Sequence, residues 1–206
     1  MKLTFYANSN IILSGISQSG KTTLVLEIIK RRLISPWPNE IYYCYGVRQT
    51  WMNTWNNDRN NPTVKFIDGL KLDGLTKDTN SKLLILDDLM TSALQKDVCN
   101  LFIYGSHHHS ITTIFITHTL FLNNECYRII SNNAHYIIVM KNKRNTSSIT
   151  TLARQILGKD ASRILEGYKY MSSQTYGFLV LSLHPKVPEE LLVITDFLQP
   201  CPSIFL

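Results

Sequence analysis

A chain of 206 residues is long enough for one α/β domain that buries its own core and too short for two full ones. Its 21 Lys and Arg against 15 Asp and Glu leave a net charge of +6, which favours acidic partners such as nucleic acid but is also common on ordinary enzymes. The four cysteines make no Cys-x-x-Cys pair and no His-linked zinc spacing, so neither a metal nor a disulfide framework is indicated and a reducing compartment fits. No apolar run reaches the length of a membrane span, and Met1 to Ser9 have no signal-peptide architecture; the expectation is a soluble, intracellular protein.

Asn10 to Ser14 form an apolar run of buried-strand length, and Thr23 to Lys30 carry helical periodicity. Between them stands Gly15-Ile16-Ser17-Gln18-Ser19-Gly20-Lys21-Thr22, the pattern of a P-loop or Walker A motif in the strand-to-helix position its mechanism requires. Gly15 and Gly20 let the backbone turn tightly and approach phosphate oxygens, and N–H groups at the helix start point at the anion. The expected nucleotide-binding set is Gly15, Ser17, Gln18, Ser19, Gly20, Lys21, Thr22 and Thr23, with Lys21 on the β- and γ-phosphates and Thr22 on Mg²⁺. A Gly/Ser-rich link with no ligand is the bland alternative, and the flanking strand and helix weigh against it. The motif identifies a nucleoside triphosphate, not a reaction.

Ser35-Pro36-Trp37-Pro38-Asn39 breaks the pattern, so the helix is expected to stop near Ile34. Glu40 to Gly46 then reads as a second strand, and strand, helix and strand in succession imply a parallel sheet. Trp51 and Trp55 stand at helical spacing in a polar stretch; packing under a loop is favoured over an exposed surface for a base. Asn56 to Asn61 is a polar loop, and Val64 to Ile67 a short strand before a turn around Asp68, Gly69 and Gly74.

Leu83-Leu84-Ile85-Leu86-Asp87-Asp88 is a buried strand ending in two carboxylates, a Walker B pattern. Ligands of parallel sheets bind beyond the carboxyl ends of the strands, so both acids are expected beside the P-loop. Asp87 is the candidate magnesium residue and Asp88 the candidate base that orients the attacking water. A helix N-cap with a second acid favoured by the helix dipole is the alternative, compatible with the first.

Met90 to Tyr104 predicts a helix, with apolar positions at Leu94, Val98, Leu101 and Phe102, ended by Gly105-Ser106. His107-His108-His109 cannot easily converge on one ion and reads as a polar turn. Ile111 to Thr119 is a further strand whose end offers Thr117 and His118 either as γ-phosphate sensors or as strand caps. A short helix over Asn124 to Asn132, a strand over Ala134 to Lys141, helices over Thr146 to Leu157 and Asp160 to Tyr170, and a strand over Tyr176 to Leu183 follow. The division expected is a P-loop ATPase domain over 1–186 and a C-terminal tail over 187–206 of unassigned role.

With these motifs in order, including Gly105-Ser106-His107-His108, Ile114-Phe115-Ile116-Thr117, Tyr136-Ile137-Ile138-Val139 and Thr151-Leu152-Ala153-Arg154-Gln155-Ile156, the chain resembles a viral DNA-packaging ATPase. The resemblance is to the poxvirus-type branch of the FtsK–HerA superfamily, most of all the compact versions of adintoviruses and Maverick/Polinton elements, and it runs from about Asn10 to Leu183. It implies a RecA/ASCE-like P-loop fold with a mostly parallel sheet flanked by helices. It also implies an ATP- and Mg²⁺-dependent, DNA-stimulated ATPase that forms a pentameric or hexameric ring and threads double-stranded DNA into a preformed capsid inside the infected host cell. Lys21, Thr22, Asp87 and Asp88 take the family's phosphate, metal and catalytic positions. The family usually has Gln where His118 stands and often Arg where His109 stands. With that arginine missing, Arg128, Arg144 and Arg154 remain as finger candidates. Of these, Arg144 and Arg154 are taken with Lys21, Asp88 and His118 into the expected catalytic set, although neither spacing nor context fixes which reaches a neighbour's γ-phosphate.

Two other readings remain at this point. A nucleoside or nucleotide kinase shares the phosphate loop and carboxylate but should bring an Arg-rich lid, which is not evident. A nucleotide-gated structural adaptor without turnover rests on the departures at His109 and His118.

Overall fold

A computed structural model describes residues 3–70, 80–89, 96–105, 110–144 and 146–206. In chain order the regular elements are β1 (Phe5–Tyr6), β2 (Asn10–Ser14), α1 (Lys21–Lys30), β3 (Ile34–Ser35), β4 (Glu40–Tyr45), β5 (Lys65–Asp68), β6 (Lys82–Asp87), α2 (Lys96–Asn100), β7 (Ile111–Thr117), α3 (Glu125–Asn132), β8 (Tyr136–Met140), α4 (Ser147–Leu157), α5 (Ser162–Ser172), β9 (Phe178–Ser182), β10 (Val193–Thr195) and β11 (Ser203–Ile204).

One sheet runs in the order β11-β10-β9-β8-β2-β7-β6-β4-β5. From β8 to β5 every neighbouring pair is parallel, while β9, β10 and β11 add on antiparallel at the β8 side. The central strands are buried on both faces, which is why they read as continuous apolar runs. Period-two alternation divides their side chains between two cores. Ile12, Leu84, Leu86, Phe115, Ile137 and Val139 face one, with Val98 of α2, Ile130 of α3, Leu152 of α4 and Ile164 of α5. Ile11, Leu13, Leu83, Ile85, Ile116 and Ile138 face the other, covered by Leu24, Val25, Ile28 and Ile29 of α1. Those four aliphatic side chains are each worth about 1.5–3 kcal/mol when fully buried, enough to seat a helix of only ten residues.

Some expectations are corrected here, and the packing role favoured for the tryptophans holds. The first helix ends at Lys30, not near Ile34, because Arg32 turns into the left-handed region and Ile34, buried, pairs with Phe5 in a small parallel β1–β3 ribbon. Of the helix expected over 90–104, the described part is α2 and a π-type turn over Leu101–Gly105; 90–95 lie outside the described residues, as do Gly74, Ser106 and the three histidines at 107–109. Cys99 and Cys126 are joined, their Cα atoms 5.6 Å apart. No spacing rule could signal that pair, because its members meet only where α2 packs against α3. Trp55 is buried and donates its indole N–H to the Pro62 carbonyl, and Trp51 packs edge-on against Tyr43 and Phe66, which is the packing role. The segment from 187 on supplies β10 and β11, so it extends the same sheet.

Candidate active site at the carboxyl edge of the sheet

Because β8, β2, β7, β6 and β4 run parallel, their carboxyl ends share one edge. The phosphate-loop strand β2 is separated from the acidic strand β6 by β7, which ends at Thr117 and is followed by His118. Three chain segments far apart in sequence therefore deliver a lysine, two carboxylates and an imidazole to one place.

The loop after β2 needs its glycines. Gly20 has φ +97°, and a Cβ at Gly15 would lie 2.6 Å from both Met140 Cβ and Ser19 Oγ. Gln18 is also left-handed, with φ 62°. Among the described residues the buried Ser19 Oγ has no hydrogen-bond partner, an orphan that a phosphate oxygen would satisfy. Ser17 and Gln18 are exposed on the loop, and Thr22 and Thr23 stand on the first turn of α1.

Lys21 is buried and its Nζ donates to the Gly15 carbonyl at 2.6 Å and the Ile16 carbonyl at 2.9 Å. Its third neighbour is His118 Nδ1 at 3.4 Å. With Nδ1 accepting from an ammonium, the proton of a neutral imidazole is assigned to Nε2, which faces Asp88 Oδ1 at 3.5 Å. Burial pulls the Lys21 pKa down, and the charges of Asp87 and Asp88 work against that.

Asp87 is buried at the end of β6, and its Oδ2 accepts a hydrogen bond from Tyr43 Oη at 2.6 Å. Burial raises the Asp87 pKa; the Tyr43 bond opposes this, Asp88 adds to it, and Lys21 and His118 oppose it. The Tyr43 hydroxyl is pushed well above the ordinary tyrosine range by burial and by the Asp87 charge, and the Thr22 side chain works against that. Tyr43 thus anchors Asp87, and Thr22 with Asp87 makes the candidate metal pair. A hydroxyl and a carboxylate are hard oxygen donors, and one or two such ligands are what Mg²⁺ takes when phosphates and waters complete its octahedron. No cluster of three or more His, Cys, Asp or Glu suited to a metal occurs among the described residues.

Asp88 differs from its neighbour. Its side chain is 54% exposed and its backbone is left-handed, φ 54°. That turn is possible because Gly46 follows β4: a Cβ there would sit 2.3 Å from the Asp88 carbonyl oxygen. Of the two sensor candidates, His118 reaches Lys21, whereas Thr117 is buried and its hydroxyl donates to the Thr119 carbonyl. Arg144 follows β8 and Arg154 lies on α4, both exposed; among the described residues neither guanidinium bonds to the loop or the carboxylates of its own chain. Tyr43 and Gly46 are the site residues that sequence reasoning missed. Gly46, ending a strand at the ligand edge, was the available signal; Tyr43 had none beyond its place in the strand.

No protein-family model matches the sequence, and no curated protein matches it. Solved structures do. The DNA-packaging ATPase B204 from Sulfolobus turreted icosahedral virus is similar at a TM-score of 0.57 and 13% identity over 97% of this chain and 98% of that one. The genome-packaging NTPase B204 from Sulfolobus turreted icosahedral virus 2, in complex with ATP-γS, gives 0.52 and 14% over 97% of both chains. The flagellar accessory protein FlaH from Methanocaldococcus jannaschii gives 0.52 and 12% over 98% of this chain and 91% of that one. At such identities the likeness speaks for the fold, and the chain has the fold of the P-loop NTPases, an α/β architecture with a large, mostly parallel central sheet flanked by helices.

Proposed function

We propose that this chain is an ATP-hydrolysing motor that moves double-stranded viral DNA into a preformed capsid, a genome-packaging ATPase of the FtsK–HerA type that works as a homo-oligomeric ring. The observation that carries the hydrolytic part is the line Lys21–His118–Asp88, in which a phosphate-loop lysine and an exposed carboxylate flank one imidazole. The packaging part is supported by the end-to-end likeness in fold to B204, by the net charge of +6 and by the motif order given above.

In this reading the loop's N–H groups and Lys21 hold the β- and γ-phosphates, and Lys21 exchanges the Gly15 and Ile16 carbonyls for phosphate oxygens. That exchange frees His118 to meet the γ-phosphate. Asp88, exposed and at the carboxyl edge, orients a water for in-line attack on the γ-phosphorus and takes its proton; the bond to the bridging oxygen breaks and ADP leaves with the electron pair. Thr22 and Asp87 would hold Mg²⁺, which offsets phosphate charge when bound. Asp87 and Tyr43 keep that corner fixed. Arg144 or Arg154 of a neighbouring subunit would complete the site.

The deciding experiment is the steady-state rate of ATP hydrolysis by purified protein against added duplex DNA. DNA-stimulated turnover is expected. Phosphoryl transfer to an added nucleoside would assign a kinase, and nucleotide binding without turnover would assign an adaptor.

A further inference from the structure

Beside the phosphate loop lies a cavity of about 540 Å³, within the 300–1,000 Å³ usual for small-ligand sites. Its floor is Gly20 to Leu24, and Tyr176, Phe178, Met140 and Leu198 form its walls. Asp87, Asp88 and His118 do not line it. It therefore opens on the side of α1 away from the groups that would act on the γ-phosphate, where the nucleoside end of a bound triphosphate must go.

Tyr176 is placed at a cost and gains nothing from burial. It is 66% exposed with a left-handed backbone, φ 56°. The turn depends on Gly177, where a Cβ would lie 2.0 Å from the Met171 carbonyl oxygen. The ring stands against the phosphate loop: a Cβ on Gly20 would come within 3.3 Å of Tyr176 Cδ1. The opposite wall comes from the C-terminal segment. Asp196 accepts from Gln174 Nε2 and from Ser203 Oγ, both at 2.9 Å, which fastens that segment to the loop carrying Tyr176. Arg31 of the turn after α1 donates to the Leu198 carbonyl at 2.8 Å and to Glu27 at 2.6 Å.

We infer that Tyr176 and the C-terminal segment at Leu198 form the nucleobase subsite, with Tyr176 as the stacking platform and Leu198 as the opposing wall. This rests on the phosphate-loop reading above and adds which residues select the base. A π-face stacks on every base, and apolar walls reward ring area, so purine nucleotides bind more tightly than pyrimidine nucleotides.

The test compares dissociation constants for the β,γ-methylene analogue of ATP and for inorganic tripolyphosphate, which has no base, each with Mg²⁺. Tyr176→Ala should weaken the nucleotide analogue roughly 5- to 100-fold, the value of one base stack, and leave tripolyphosphate unchanged. Tyr176→Trp should restore nucleotide binding. Arg31→Ala, which releases Leu198, should weaken the analogue alone. An unchanged nucleotide affinity in Tyr176→Ala, or an equal loss of both ligands, overturns the subsite, and an unchanged affinity in Arg31→Ala removes the C-terminal segment from it. Wild-type protein that binds tripolyphosphate as tightly as the analogue also overturns the subsite while the phosphate-loop reading stands; failure to bind either ligand overturns both.

Discussion

Tyr43 Oη donates a 2.6 Å hydrogen bond to Asp87 Oδ2 across adjacent parallel strands. One buried phenol thus holds one of the two candidate magnesium ligands in place. Removing it in Tyr43→Phe keeps the ring packing against Trp51 and Phe66 and leaves the buried carboxylate one donor short. Outer-shell partners of this kind are worth about 10- to 100-fold in metal affinity or activity. The Mg²⁺ concentration for half-maximal hydrolysis should rise by that order, with the fold intact by circular dichroism. An unchanged Mg²⁺ dependence would take Tyr43 out of the site.

Asp87 also predicts a trade between stability and function. Its pKa is raised in the folded state, chiefly by burial, so folding favours the protonated form. The stability associated with that preference is full below the unfolded carboxylate pKa and is lost as pH rises through the folded value. At pH 7 the charge is therefore carried at a cost, and Asp87→Asn should melt at a higher temperature than wild type when no nucleotide is present. The gap should narrow as pH falls into the carboxylate range, where the wild-type side chain takes up its proton. Thermal melts at pH 7 and at lower pH check the sign; a variant less stable than wild type at pH 7 contradicts it. The same substitution should impair Mg²⁺-dependent turnover.

Asp88→Asn should behave differently, because Asp88 is half-exposed and lies on the His118 side. The amide keeps the shape and loses the proton acceptor, so nucleotide binding should survive while hydrolysis falls by roughly 10²- to 10⁴-fold, the usual worth of a general base. Binding measured by titration alongside single-turnover hydrolysis separates the two. Normal turnover in this variant would mean that another group activates the water.

How much of this could be read before the fold was known depends on whether the signal is local. The loop from Gly15 to Thr22 and the pair Asp87-Asp88 each carry their chemistry in consecutive residues, and the parallel sheet brings them to one edge as expected. Tyr43 could not be found that way. In Glu40 to Tyr45 it is one strand former among several, and its role follows from register: Tyr43 pairs with Ile85, and Asp87 lies two residues further along the same face of β6. The end of α1 is not legible in the sequence because β3 is only two residues long and is recognised by its partner Phe5, not by its own pattern. The C-terminal strands are short for the same reason, three and two residues, and prolines interrupt the stretch around them.

The last prediction concerns assembly. Lys21 Nζ bonds the phosphate loop itself, with two carboxylates acting on its charge, and among the described residues the exposed Arg144 and Arg154 make no bond to that loop in their own chain. Among the described residues a site so arranged lacks the second cation that stabilises charge on a γ-phosphoryl group in flight, a contribution worth about 10³- to 10⁵-fold where an arginine finger supplies it. If a neighbour in a ring provides the finger, dilute monomer should hydrolyse ATP poorly, and activity per subunit should rise with protein concentration and with duplex DNA. The DNA effect should weaken as salt is raised, since phosphate contacts release counterions. Mixing wild-type protein with Arg144→Ala or Arg154→Ala, at constant total protein, tests the trans geometry directly. An arginine that acts in a neighbour's site leaves that wild-type site crippled, so activity should fall faster than the fraction of wild-type subunits. A rate per wild-type subunit that ignores both variants, and that does not depend on concentration where rings form, would sink the finger assignment and the ring motor together.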